Sequence, residues 1–294
     1  MQPPTSPSES ALPECSSGTT DILDPHVILR RYHIQAKKSW GQNFLINERV
    51  FNAIVAASDI DADDTVIEIG AGIGTLTSRL LHTGATVIAI ERERDMCSIL
   101  RAELGHHAKF FLQEEDALQA DFSILHRHNH RNLIVVGNLP YQIASPLIFH
   151  CLAQRQFLRR IVVMIQKEVA DRLIAQPNTE AYSSMSAQVQ LLANVRRICQ
   201  VSRGSFIPAP RVDSTVVEIT PLEQPRAQVE NLADYSKVVR AAFGQRRKTL
   251  RNSLRELFGE RKLPIDLLDF GRRAETLTIS EFAEIANNLT AASN

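Results

Sequence analysis

Thr65-Val66-Ile67-Glu68-Ile69-Gly70-Ala71-Gly72-Ile73-Gly74-Thr75 is the stretch that decides the fold. Its first half is a short apolar, β-branched run, the pattern of a strand buried on both faces. Three glycines at alternate positions follow, and a helical pattern opens at Thr75. Glycine lets the backbone turn sharply and approach a ligand where a Cβ would clash. A dinucleotide fingerprint, G-x-G-x-x-G, needs glycine where this chain has Thr75. The third glycine comes one residue early, which argues against a pyrophosphate cradle.

Outward from this turn, strand-like runs fall at 65–69, 86–90, 109–112, 133–136, 161–165 and 215–219. Helical patterns lie between most of them, as at 75–81 and 96–104. This alternation predicts an α/β fold with a doubly wound, mainly parallel sheet. Beyond Pro221 the β-runs stop, and 234–243, 248–258, 265–270 and 280–289 read as short helices. The expected organisation is a disordered tail over 1–28, an α/β domain over 29–221 and a small helical domain over 222–294. The tail is rich in Ser, Pro and Thr, and its only charges before His26 are Glu9, Glu14, Asp21 and Asp24. A transit peptide is Arg-rich and poor in acids, so a tail with little to bury is the better reading.

With 294 residues, 44% hydrophobic and 22% charged, the chain can bury a core without staples. Its longest apolar runs, such as 161–165, fall far short of the ~20 residues a membrane helix needs. Cys15, Cys97, Cys151 and Cys199 are scattered and form no C-x-x-C pair, against both a disulfide framework and a zinc site. A reducing, cytoplasmic location is expected. His126, His128 and His130 alternate, but Arg127 and Arg131 beside them repel cations, so they read as a solvated loop and no metal is expected.

Glu91 closes the second strand, where a carboxylate can accept both ribose hydroxyls of a nucleoside cofactor. Asp116 follows the third strand at the same sheet edge, within reach of the exocyclic amine of the cofactor's adenine. Either acid alone reads as a solvated loop residue; acids closing successive strands beside a Gly-rich turn read as a site. The fourth strand runs into Gly137-Asn138-Leu139-Pro140-Tyr141. This sequence at a strand's carboxyl end suits methylation of a planar exocyclic amine, whose lone pair is delocalised into its ring. Two acceptors holding both N–H groups favour the pyramidal, charge-accumulating transition state. The Asn138 side-chain oxygen and the Leu139 carbonyl are the candidates. Pro140 stiffens the loop, and Tyr141 offers a flat face to an extruded base.

Taken together, these motifs resemble the bacterial 16S rRNA adenine N6,N6-dimethyltransferase family. The resemblance runs from about Lys37 to Leu289. It also rests on Gly41-Gln42-Asn43-Phe44-Leu45, Gln166-Lys167-Glu168-Val169, the run from Phe206-Ile207-Pro208 to Val212-Asp213-Ser214, and Arg273-Ala274-Glu275-Thr276-Leu277 followed by Glu281-Phe282. Trp40, where Phe or Leu is more usual, is a mild departure. The resemblance implies a class I S-adenosylmethionine methyltransferase fold, with Asn43, Leu45, Gly70, Glu91, Asp116 and Asn138 on the cofactor; Gly72 joins them from the glycine turn. It implies that Phe206 faces Tyr141 across the target base. It implies two methyls on each of two adjacent adenosines in the 3′-terminal hairpin loop of 16S rRNA within the small ribosomal subunit.

Arg247, Arg251 and Arg255 are spaced by four and form one basic stripe on a helix, thickened by Arg246 and Lys248. Lys37 and Lys38 precede the cofactor motif, and Arg159, Arg160, Arg196, Arg197, Arg203 and Arg211 add positive charge. A chain of zero net charge can thus still present a cationic face to RNA. Rival readings are a large-subunit rRNA or DNA adenine methylase, and a non-catalytic assembly or transcription factor on the same fold. Intact Gly70, Gly72, Glu91, Asp116 and the 138–141 run favour an enzyme, and nothing demands more than a monomer.

Overall fold

The computed structural model describes residues 21–34, 42–127, 132–245, 247–259 and 268–291. The first helix, α1 (Pro25–Arg31), begins where the Asp24 carboxylate accepts from the backbone N–H groups of His26 and Val27. The alternation then runs β1 (Phe44–Leu45), α2 (Glu48–Ser58), β2 (Thr65–Ile69), α3 (Thr75–His82), β3 (Thr86–Glu91) and α4 (Arg94–Leu104). It continues with β4 (Phe110–Glu114), α5 (Phe122–Arg127), β5 (Leu133–Asn138), α6 (Ala144–Ala153), β6 (Leu158–Gln166) and α7 (Lys167–Ile174). After α8 (Ser184–Leu192) come β7 (Ala193–Val201), β8 (Phe206–Ile207) and β9 (Ser214–Pro221).

The main sheet has the order β4-β3-β2-β5-β6-β9-β7. The first five are parallel, and β9 lies antiparallel between β6 and β7. The doubly wound sheet read from the sequence is therefore present. Side chains alternate between its faces. Ile67, Val135 and Val163 pack with Phe122, Leu147 and Leu173 from α5, α6 and α7. Val66, Val136 and Val162 pack with Phe51, Leu80 and Leu100 from α2, α3 and α4. Coverage on both faces is why these strands read as unbroken apolar runs. From β2 the chain winds outward to β3 and β4, then returns to place β5 on the other side of β2. Such a switch point opens a crevice at the strands' carboxyl ends.

Residues 21–28 are not part of a disordered tail. The Leu23 N–H donates to Ser78 Oγ at 3.0 Å, and Arg79 donates to the Leu23 carbonyl at 3.1 Å. Ile28 is buried with Ile73, Met96 and Ile99, and Arg31 and Tyr32 both reach the Glu103 carboxylate. Leu23 and Ile28 supply an apolar anchor that an average over a Ser/Pro-rich stretch conceals. Residues 1–20 lie outside the described residues.

The helical part comprises α9 (Leu232–Gly244), α10 (Leu250–Ser253), α11 (Arg255–Phe258) and α12 (Ile279–Ala291). The helix expected at 248–258 divides at Leu254. Of that expected at 265–270, residues 265–267 lie outside the described ones and 268–270 are a bend and turn. Tyr235, Phe258, Phe270 and Phe282 form the core here, joined by Tyr182, Ala187 and Leu191 from the segment around α8. Packing therefore does not divide at 221/222: α8 lies against the C-terminal helices and runs directly into β7. Among the described residues, no helix is long and apolar enough to cross a membrane.

Phe282 is 0% exposed. Replacing it with Ala removes ring contacts that neighbours cannot fully close over, a loss of about 3–5 kcal/mol. The denaturation midpoint of the full chain is expected to fall accordingly, and an unchanged midpoint would show that this core does not support the fold.

Candidate active site

Beyond β2 the backbone turns through Gly70 and Gly72, both in the left-handed region at φ 72° and 56°. The Gly70 N–H donates to the Ile90 carbonyl at 2.9 Å, which fastens the turn to the end of β3. The Gly72 N–H donates to Glu91 Oε2 at 3.0 Å. Oε1 of the same carboxylate accepts from the backbone N–H groups of Arg92 and Glu93, at 2.8 and 2.9 Å. Gly74, left-handed too at φ 79°, also serves packing: a Cβ there would stand 3.1 Å from the side chains of Leu100 and Leu104 on α4. That accounts for a third glycine one residue earlier than a dinucleotide site requires.

Asp116 Oδ1 accepts from the Leu118 N–H at 3.0 Å, and Oδ2 pairs with Arg92 at 3.1 Å. Arg92 thereby joins the loops that carry Glu91 and Asp116. A cavity of about 390 Å³ opens here, within the range that holds a small ligand. Asn43, Leu45, Gly70, Gly72, Glu91, Asp116 and Asn138, the candidate cofactor residues, all line it. Leu139, Pro140 and Tyr141 line it too. So do Ile73 and Met96, apolar residues that no motif distinguishes from core.

Asn138 closes β5. Its Nδ2 donates to the Asn43 carbonyl at 3.2 Å, which leaves Oδ1 as the acceptor end. The Leu139 N–H donates to the Met164 carbonyl at 3.1 Å and fixes the loop to β6. Tyr141 is half-buried, with its hydroxyl 2.7 Å from Ser214 Oγ. Burial raises its pKa above the ordinary tyrosine value and the Asp213 charge adds to this, so the phenol is neutral at pH 7. Ser214 closes the 206–214 run, but nothing in the sequence marks it as the anchor of Tyr141.

Phe206 departs from expectation. It is buried in the apolar layer with Leu45, Val50 and Val201, and does not line the cavity. Its partner in the β1–β8 pairing is Leu45, and the same pairing sets Phe44 opposite Ile207. In this structure the ring braces the strand that carries Leu45, next to Asn43, and is not a second wall opposite Tyr141.

Arg247, Lys248, Arg251 and Arg255 are exposed, without an ion-pair partner among the described residues. They lie on a turn and two short helices, not on one uninterrupted stripe. Lys37, Lys38 and Arg246 lie outside the described residues. Of the other arginines, Arg159 pairs with Asp64, Arg160 and Arg196 with Glu218, and Arg197 with Asp171. Those four brace the sheet; Arg203 and Arg211 are exposed and have no such partner among the described residues. His126 stacks on Phe157 at 5.4 Å, while His128 and His130 lie outside the described residues.

Residues 33–291 match the family described as ribosomal RNA adenine dimethylase. The chain belongs to this family. Among curated relatives it is 40% identical to a ribosomal RNA small subunit methyltransferase A of Clostridium botulinum, over 88% of this chain and 96% of that one. It is 38% identical to the protein of the same name from Latilactobacillus sakei, over 92% and 96%. A dimethyladenosine transferase structure from Plasmodium falciparum superposes with a TM-score of 0.70 at 26% identity, covering 85% of this chain and 98% of that one. A 23S rRNA methyltransferase, at TM-score 0.64 and 22% identity over 84% and 100%, shares the fold.

One residue lining the cavity, Glu68, has no role that its motif announces. It is 1% exposed, and its Oε2 has no hydrogen-bond partner. Burial pushes its pKa from an ordinary 4.5 up to about 8, and the Glu91 charge adds to the rise. An acid inside an apolar strand run was the available signal. The folded chain holds a proton that the unfolded chain releases above pH 4.5. Its contribution to stability is thus complete below that pH and lost as pH rises through about 8. Glu68→Gln cannot ionise. Its urea midpoint, relative to wild type, is expected to improve steadily from pH 5 to pH 8. A constant difference across that range would show that Glu68 does not titrate there.

Proposed function

We propose that this chain uses S-adenosylmethionine to dimethylate N6 of two adjacent adenosines in the 3′-terminal hairpin loop of 16S rRNA, during assembly of the small ribosomal subunit. The observation that carries the reading is the position of Asn138. It joins the Asn43 strand to the end of β5 and lines the cavity with the glycine turn, Glu91 and Asp116. The residues present fit the cofactor. Gly70 and Gly72 leave backbone where a side chain would fill the cradle. Glu91 suits a ribose diol, Asp116 an adenine amine, and Asn43, Leu45 and Met96 the remaining walls. When bound, S-adenosylmethionine supplies an electrophilic methyl group on a sulfonium.

The chain's own part is to position a poor nucleophile. Asn138 Oδ1 and the Leu139 carbonyl accept from the N6 amine and favour its pyramidal form, in which the lone pair leaves the ring. Neutral Asn is no base, and none is needed before the bond forms: only afterwards is the amine acidic enough to give its proton to solvent. Tyr141 stacks on the base, held by Ser214. Arg247, Lys248, Arg251 and Arg255, with Lys37, Lys38 and Arg246, hold rRNA phosphates. In this reading the protein acts as a monomer, in the cytoplasm with the ribosomal subunits.

The test is transfer from labelled S-adenosylmethionine to small subunits lacking the modification. Label is expected as N6,N6-dimethyladenosine in 16S rRNA, and Asn138→Ala is expected to lower kcat by about 10²–10³-fold. Wild-type protein that binds cofactor but leaves small subunits unlabelled would send the chain to another target. Separately, reversing Arg247, Arg251 and Arg255 to Glu is expected to weaken subunit binding and flatten its salt dependence, with cofactor affinity unchanged. Subunit affinity equal to wild type would remove those residues from the RNA interface.

A further inference from the structure

A second cavity, of about 650 Å³, shares no lining residue with the first and has no part in the chemistry above. Its walls are the start of α7, from Gln166 to Asp171, and the loop running from Arg203 to Asp213. Asp213 is the connecting residue. It immediately precedes Ser214, whose hydroxyl holds Tyr141 at 2.7 Å. Its carbonyl accepts from the Lys167 N–H at 3.0 Å, and its carboxylate accepts from the Arg203 N–H at 3.0 Å. A lining residue of the cleft is thus the chain neighbour of the residue that anchors Tyr141 in the first cavity.

The charges in this cleft divide unevenly. Asp171 is held by both Lys167 and Arg197, and Glu168 by Arg172. Asp213 serves backbone N–H, not a cation. Arg203 and Arg211 are left exposed, with no ion pair or hydrogen bond to their guanidinium groups among the described residues. This contrasts with Arg159, Arg160, Arg196 and Arg197 on the same sheet, each paired with an acid. A guanidinium offers a planar fork of donors that matches phosphate oxygens. Val212, which also lines the cleft, is 45% exposed, an apolar side chain turned to solvent. Cationic forks beside a solvent-facing apolar group suit a nucleotide, which offers an anionic backbone and apolar base and sugar faces.

We propose that this cleft is a subsite for the nucleotide next to the target adenosine, with Arg203 and Arg211 gripping its phosphodiester and Val212 meeting its nucleoside. The inference rests on the RNA reading above and adds to it a contact in the α/β domain, apart from the cations of the C-terminal helices. Phosphate contacts fix register without reading sequence. A grip one nucleotide from the extruded base determines which adenosine reaches Asn138. Arg203 and Arg211 are positioning residues, remote from the reacting atoms.

The experiment compares wild type with the double variant Arg203→Gln/Arg211→Gln, in the full chain, on small subunits lacking the modification. Both side chains are exposed, so the variant is expected to melt with wild type and bind S-adenosylmethionine equally well. KM for subunits is expected to rise about tenfold with kcat nearly unchanged. The slope of log affinity against log salt is expected to flatten by about 0.7 for each phosphate no longer neutralised. Arg203→Lys/Arg211→Lys, which keeps charge but not the fork, is expected to restore the slope and only part of KM. If wild type transfers methyl groups and the Gln variant matches it in KM and salt slope, the subsite is wrong while the RNA reading stands. If wild type transfers none, the reading fails and the subsite goes with it.

Discussion

A Cβ at position 137 would stand 2.6 Å from the Ile69 carbonyl oxygen, so the ends of β5 and β2 approach as closely as glycine alone permits. That approach sets the geometry of the site. Parallel pairing of Glu68 with Val136 brings the glycine turn and the 138–141 loop level with each other. A Cβ at Gly70 would already be 3.8 Å from the Asn138 carbonyl oxygen. In the proposed function, the cofactor cradle and the loop that accepts the amine are thereby set side by side by backbone spacing. Transfer between bound partners depends steeply on this separation, since a displacement of about 1 Å can cost 10²-fold in rate. The hydrogen bond from Asn138 to Asn43 closes the same corner from the third side.

Behind this corner the N-terminal segment covers the outer wall. Ile28 packs on Ile73 and Met96, both of which also line the cavity, so α1 backs the surface that a cofactor touches. Polar ties to residues distant in the chain add to this packing: Leu23 to Ser78 and Arg79, and Arg31 and Tyr32 to Glu103. Residues 21–32 precede the span matched by the family. The wall they brace is nevertheless part of the family's site.

The sequence was legible where one physical demand dominates a stretch. Strands buried on both faces must be apolar throughout, so 65–69 coincides with β2, and 86–90 and 133–136 fall within one or two residues of β3 and β5. The glycine turn, Glu91, Asp116 and the 138–141 run could be picked out because they interrupt the apolar pattern at strand ends, and the structure gathers them around one cavity. β7 was missed because it is an edge strand. Its Asn194, Arg196, Arg197 and Gln200 face solvent and hide the β pattern. Phe206 was misplaced because an aromatic residue in a motif fits a base or a core equally well. Pairing with β1 decides for the core here, and that pairing joins residues far apart in the chain. Glu68 escaped for a similar reason: its raised pKa depends on burial beneath a turn, which composition does not report.

The distribution of ionisation around the cavity has its own logic. Glu91 and Asp116 lie at the end that suits a ribose and an adenine amine. At the proposed amine-acceptor end, the available groups are the Asn138 amide, the Leu139 carbonyl and the Tyr141 phenol, which burial pushes further above an already high ordinary pKa. As N6 attacks, positive charge accumulates on it, and neutral dipoles oriented beforehand stabilise that charge without reorganising. In the proposed reaction an amide at position 138 accepts an N–H without bringing a charge or a proton of its own. When N6 already bears one methyl group a single N–H remains, so one of the two acceptors suffices to hold it in the second round.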